Sequence, residues 1–326
     1  MYILSCDGGG IRGIIPVSII AELEKQLGGS ISDYFDVMAG TSTGGILTLG
    51  LNLKDEDGNA KYTAEELKNL YRTRGKDIFY KQWFRDVYTG YGMWGAKYSS
   101  KGLAKVLKEY MGDATMQDLK TNTLITAYDL KADRPAYFRS SYAKKDPKRF
   151  DMPLKIVGHA TGAAPTFFSP LKISNAAQDE FVLVDGGIVR NNPALAALGY
   201  AKELYPDAEE YHLVSIGTGR VHTPGTPGQT GLSQWASTLV EYMMDGSAQA
   251  TDLELRGAFN AFKQSDAHKN SSYLRLQVVL NDDESDMTNY SKKNLKRLEK
   301  RADQIIHENE KELADLVYKL KQSKKL

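Results

Sequence analysis

The chain is 326 residues long, 41% hydrophobic and 25% charged, with a formal net charge of +1, which predicts one large α/β domain or two modest ones around a substantial core. A near-neutral chain lacks the basic excess of a nucleic-acid binder, and only the C-terminal stretch is basic. Cys6 is the only cysteine, so an intrachain disulfide and the common cysteine-based zinc sites are excluded, and a reducing, cytoplasmic setting is expected.

Tyr2 to Cys6 reads as a buried strand. Leu4-Ser5-Cys6 has the small residues of a lipoprotein signal, but no basic segment or apolar stretch precedes it, so the chain is expected to start directly in this strand. Asp7-Gly8-Gly9-Gly10-Ile11-Arg12-Gly13 follows, then a helix from about Pro16 to Leu27, with Val17, Ile20, Leu23 and Leu27 at helical spacing and Gly28-Gly29 as the stop. Gly8, Gly10 and Gly13 also match the dinucleotide-binding pattern GxGxxG, with Asp33 about 20 residues on. Against that reading, turn-like Gly28 to Ser32 replaces the strand that should lead into Asp33. Asp7 would also set a carboxylate beside the pyrophosphate. No apolar run approaches the roughly 18 residues that span a bilayer, so membrane contact is expected to be peripheral.

At Val37 to Ile46 an apolar run stops at Gly40-Thr41-Ser42-Thr43-Gly44 and resumes as apolar. This is the nucleophile-elbow pattern GxSxG, in which a strand turns sharply into a helix and the chain passes so close that Gly40 and Gly44 have no room for a Cβ. The turn lifts the Ser42 hydroxyl clear of the sheet and aims the unpaired amides of the next helix at any oxyanion that forms.

Further on, Ile46 to Leu51 reads as a buried helix, Lys54 to Asn59 as a solvent-facing loop, and Thr63-Ala64-Glu65-Glu66 as a capping box opening a helix to about Arg74. Ile78 to Tyr98 holds eight aromatic residues, among them Phe79, Trp83, Trp94 and Tyr98. Such a stretch serves either as core or as an interfacial surface dipping into lipid headgroups. Asn122 to Leu130, Phe181 to Val184 and His212 to Ile216 read as strands alternating with helices, the pattern of a mostly parallel sheet covered on both faces. Arg220 to Gly231 is rich in Pro, Gly and Thr and reads as a surface loop, with apolar helix residues from Trp235 to Met244 behind it. Ser291 to Leu320 reads as one charged amphipathic helix packed by Leu295, Leu298, Ile305, Leu313, Leu316 and Leu320.

A serine needs a base to take its proton. The five histidines are His159, His212, His222, His268 and His307; the pattern gives structural roles to most of them and leaves His222 beside the Gly/Pro loop as the one hardest to dismiss. Ser42 follows only one clear strand, unlike the layout of an α/β-hydrolase. Asp185 closes the apolar strand Phe181 to Val184 and precedes Gly186-Gly187, so its carboxylate is expected at the C-terminal edge of the sheet, where open α/β sheets build their sites.

Asp7 to Gly13, Gly40 to Gly44 and Asp185-Gly186-Gly187, in that order, look like the motif set of patatin-like phospholipases. Ala163 to Phe168 and Ser215 to Gly219 resemble further family segments, so the similarity covers about residues 1 to 220. The resemblance implies a single catalytic domain over residues 1–326 with a three-layer α/β fold, in which 221–326 packs on the motif-bearing part. It also implies a Ser42–Asp185 dyad, an oxyanion hole from the Gly8, Gly9 and Gly10 amides, and hydrolysis of fatty-acyl esters of phospholipids met peripherally at a membrane. No metal, no cofactor and no catalytic histidine are implied. Arg12 is a candidate for holding a substrate phosphate, or else for a surface ion pair. An acyltransferase or thioesterase would use the same acyl-enzyme, and a nucleotide-binding module on the glycine loop is the reading of another class. By the same resemblance some stand-alone bacterial members are switched on by a cyclic nucleotide or a partner protein. A homo-oligomer and a cytoplasmic location, at the inner face of the membrane, complete these expectations. At its ordinary pKa of about 3.9 an aspartate base predicts activity persisting below the histidine range, and such a weak base needs either desolvation or strong oxyanion stabilisation.

Overall fold

Alternating side chains along the strands set the architecture. In the computed structural model, which describes residues 1–79, 95–221, 239–265 and 268–324, Ile3 of β1 (Tyr2–Cys6) and Val37 and Ala39 of β2 (Val37–Gly40) enter one core cluster. Leu4, Cys6 and Met38 enter another on the opposite face. That period of two divides the helices into two layers. One layer holds α1 (Ile14–Leu27), α2 (Thr43–Asn52), α3 (Ala64–Ile78), α4 (Ser100–Met111) and α5 (Leu154–Gly162). The other holds α6 (Ala194–Leu204) and α7 (Leu239–Lys263). Two C-terminal helices, α8 (Lys292–Glu308) and α9 (Glu310–Ser323), add Leu295, Leu298, Leu313 and Leu320 to the first cluster.

The sheet is mostly parallel. Next to β1 and β2 run β3 (Asn122–Asp129) on one side and β7 (His212–Ile216) on the other, and β9 (Ser272–Leu276) extends the edge beyond β7, all parallel. Two strands run the other way, β4 (Arg134–Arg139) and β6 (Glu180–Asp185), while the edge strand β5 (Leu171–Ser174), antiparallel to β6, runs in the main direction. Residues 124–129 of β3 pair with β4, so both other partners of β3 must share its opposite edge. There β2 takes residues 122–125 and β6 takes 127–129. The two strands therefore meet end to end, Gly40 opposite Ile125 and Asp185 opposite Ala127. A small second sheet joins β8 (Arg220–Val221) to β10 (Val279–Leu280).

Several expectations are corrected. The first helix starts at Ile14 rather than Pro16; proline is tolerated there because amides of a first helical turn lack intrahelical partners. The Thr63 capping box forms as expected, but its helix runs on to Ile78. The C-terminal segment is two helices, broken where the Asn309 side chain donates to the Ile305 carbonyl at 2.8 Å. Strand β9 was not foreseen. Of the aromatic stretch, Phe79 and Tyr98 are buried and pack edge to face, 5.5 Å between centroids. Trp83, Trp94, His222, Trp235 and the loop expected from Arg220 lie outside the described residues, apart from Arg220 and Val221 themselves. Among the described residues no helix is long and apolar enough to cross a membrane.

Candidate active site

Ser42 stands between β2 and α2 with φ 53° and ψ −125°, a left-handed backbone that a non-glycine residue adopts only when its surroundings force it. They do so here through two glycines. A Cβ on Gly40 would clash with the Gly44 carbonyl, and one on Gly44 with the Cys6 carbonyl. The Ser42 amide donates to Thr161 Oγ1 at 2.8 Å, and Thr41 Oγ1 meets Thr126 Oγ1 at 2.7 Å, fixing the elbow to α5 and β3.

Asp185 arrives from the opposite direction. Its strand is antiparallel to β3, so the carboxylate reaches the C-terminal edge of β1 and β2 from beyond it. Oδ1 accepts from the Gly187 amide at 2.7 Å, while Oδ2 is buried without a hydrogen-bond partner. The residue is 1% exposed. Burial pushes its pKa up to about 7, against the Ser42 hydroxyl and the Gly187 amide, which favour the charged form. That value departs from the ordinary aspartate pKa on which the pH expectation from the sequence rests.

Ser42 and Asp185 line one cavity whose other walls are mostly apolar, among them Ile46, Leu70, Phe79, Phe168 and Met244. The glycine loop lies against it. A Cβ on Gly8 would fall 3.0 Å from the Ser42 Cβ, and Gly10 has φ +58° with no room for a Cβ beside the Met287 carbonyl. The three amides expected at the oxyanion are not equivalent. That of Gly8 donates to the Asn191 carbonyl at 3.1 Å, whereas no described group accepts from those of Gly9 and Gly10.

Below the loop Asp7, 1% exposed, is held by Arg275 of β9 in a bidentate pair of 2.9 and 2.5 Å. Arg275 also donates to Ser215 Oγ at 2.7 Å. Arg12 does not line the cavity and is no surface residue. It is 3% exposed, with Nε unpartnered, and Asp245, Glu241 and Asp286 raise its pKa against a larger lowering by burial. Among the described residues no histidine lines the cavity. His159 lies on α5, where burial lowers its pKa; His212 bonds Ser272 and Glu210, His268 the Glu209 carbonyl, and His307 sits on α8. No group of three or more His, Cys, Asp or Glu suited to a metal occurs among the described residues.

Sequence reasoning missed Thr161, Asn191 and Arg275. Asn191-Asn192 leaves a trace, two amides ahead of a helix-opening proline; both are buried.

A family model described as patatin-like phospholipase matches residues 4–198. "Patatin-like protein 2" of Oryza sativa subsp. indica is 32% identical, over 94% of this chain and 84% of that protein. "Patatin-04/09" of Solanum tuberosum is 31% identical over 91% and 81%. The crystal structure of VipD from Legionella pneumophila aligns over 93% of this chain and 66% of that one, at 14% identity and a TM-score of 0.38, too loosely to bear on the argument.

Proposed function

The chain belongs to the patatin-like phospholipase family, which implies lipid acyl hydrolase activity, and from that premise we propose that it is a phospholipase A acting through a Ser42–Asp185 dyad. The observation that carries the reading is the juxtaposition, in one apolar cavity, of a strained serine and a buried carboxylate with one oxygen free. Asp185 Oδ2 accepts the Ser42 proton as Oγ bonds to the ester carbonyl carbon. The resulting oxyanion is held by the Gly9 and Gly10 amides and the N-terminus of α2, each good donor contributing about 3 kcal/mol. When the tetrahedral intermediate collapses, the lysolipid leaves as an alcohol carrying the proton from Asp185. Water, deprotonated by the same carboxylate, then adds to the acyl carbon, and Asp185 returns that proton to Ser42 Oγ as the bond to the fatty acid breaks.

In this reading Gly8 shapes the loop rather than donating, and Arg12, buried away from the cavity near the Glu241 and Asp245 carboxylates of α7, does not hold a phosphate. The substrate is met peripherally at the cytoplasmic face of a membrane. A fluorophosphonate, whose phosphorus Ser42 attacks as it would an ester carbonyl, should label the wild type and not Ser42→Ala, and wild type given mixed phospholipids should release fatty acids and lysolipids detected by mass spectrometry. Labelling kept by folded Ser42→Ala would overturn the assignment of the nucleophile.

A further inference from the structure

The cavity beside Ser42 takes Leu70, Tyr71, Gly75 and Ile78 from α3. A phenylalanine would fill the place of Tyr71 as well as tyrosine does, and a hydroxyl in an apolar wall is unfavourable unless it finds a partner. Tyr71 finds one at the elbow. Its Oη meets Thr43 Oγ1 at 2.6 Å and donates to the Thr43 carbonyl at 3.4 Å. Both residues are buried, and burial raises the Tyr71 pKa, so the phenol stays a neutral donor around neutral pH.

Thr43 is the first residue of α2 and follows Ser42 directly. It lines the cavity, and its amide, like those of Gly9 and Gly10, has no acceptor among the described residues. An amide at the start of a helix, next to the attacking hydroxyl, is suited to an oxyanion. Its position is fixed from two sides: Thr161 of α5 accepts from the Ser42 amide at 2.8 Å, and Tyr71 of α3 holds Thr43. The glycine loop ends on the same point, because a Cβ on Gly13 would lie 2.4 Å from Thr43 Oγ1 and 2.5 Å from Tyr71 Oη. The end of that loop, the first turn of α2 and the middle of α3 therefore meet at one pair of hydroxyls.

We propose that Tyr71 is a positioning residue for acyl transfer: by holding Thr43 it sets the Thr43 amide as an oxyanion donor beside those of Gly9 and Gly10. The inference rests on the acyl-hydrolase reading and goes beyond it by naming a donor and the residue that places it. Such a donor acts on charge that exists only in the transition state, so losing the Tyr71 hydroxyl lowers kcat and leaves KM nearly unchanged. Removing an oxyanion donor lowers kcat about 100-fold or more, and displacing one should lower it about tenfold or more.

The test is kcat and KM for p-nitrophenyl butyrate, with kcat counted per Ser42 titrated to completion by a fluorophosphonate, so that misfolded protein does not enter. Tyr71→Phe should lower kcat about tenfold or more, with KM within about threefold of wild type. Thr43→Val keeps the shape of threonine without its hydroxyl and should do the same. The double variant should fall no more than about threefold below either single one, because the two hydroxyls act as a unit. Thr43→Ser restores the hydroxyl and should regain about fivefold or more over Thr43→Val. Should Tyr71→Phe not fold, the comparison of Thr43→Val with Thr43→Ser decides. A kcat within about twofold of wild type in folded Tyr71→Phe, a loss confined to KM, or a Thr43→Ser no better than Thr43→Val would overturn the inference alone, since the enzyme would still be an esterase. A wild type that neither turns over the ester nor reacts with the fluorophosphonate would overturn the hydrolase reading and this inference together.

Discussion

Asp185 should weaken the fold in a pH-dependent way that Asp185→Asn removes. Its pKa is about 7 in the folded protein and about 3.9 in the unfolded chain. Between these values the unfolded state has released the proton and the folded state keeps it, so stability falls as pH rises. Below about pH 4 both states are protonated and the residue costs nothing; above about pH 7 both are ionised and the cost is at its plateau. Roughly three pKa units at 1.36 kcal/mol each set that plateau at about 4 kcal/mol, with about 1 kcal/mol already present at pH 4.5. Asparagine keeps the side chain's shape and carries no charge. Its other effects do not vary with pH and cancel when the difference between variant and wild type is followed. Urea unfolding at pH 4.5 and pH 8 should show Asp185→Asn gaining about 3 kcal/mol relative to wild type between the two. A difference independent of pH would mean that Asp185 is not held protonated by burial, and the argument for it as a base near neutrality would fall with it.

The same ionisation governs activity: kcat/KM on a short-chain ester should drop about tenfold per pH unit below about 7, in wild type and equally in His159→Gln, His212→Gln, His222→Gln, His268→Gln and His307→Gln. A profile flat down to pH 5 would refute the raised pKa of Asp185, and activity abolished in one folded histidine variant would remove Asp185 as the base. Arg275→Met leaves Asp7 buried without its partner and should cost about 3–5 kcal/mol in urea unfolding, part of it recovered when Asp7→Asn is added. Equal losses in the single and double variants would show that the Arg275–Asp7 charge pairing is not what holds the loop.

The elbow was legible because its signal is local: Gly40, Ser42 and Gly44 crowd one another within five residues, and the apolar flanks show which way the chain enters and leaves. Asp185 was legible for the same reason, as the end of a short apolar run. The direction of its strand was not, since antiparallel pairing to β3 depends on Leu183 meeting Asp129, a partner far away in sequence. Nor could residues 7–13 reveal that the Gly8 amide is spent on Asn191, more than 180 positions on. Strand β9 escaped because Arg275 interrupts its apolar pattern and reads as an exposed position; only Asp7 and Ser215 make that site an interior one. Ser291 to Leu320 misled because its leucines keep helical spacing across Asn309, where the backbone leaves the helix.

The end-to-end meeting of β2 and β6 on one edge of β3 has a consequence for how the site responds to substitution. Only Thr126 separates the residue opposite Gly40 from the residue opposite Asp185, so a hydrogen-bonded ladder sets the spacing of the elbow and Asp185, and a one-residue slip would turn every side chain of the slipped strand to the other face. The cavity beside Ser42, by contrast, is walled in large part by side chains of α2, α3 and α4 that take no part in that ladder. A substitution in those walls therefore reshapes the cavity without moving Ser42 and Asp185 out of register.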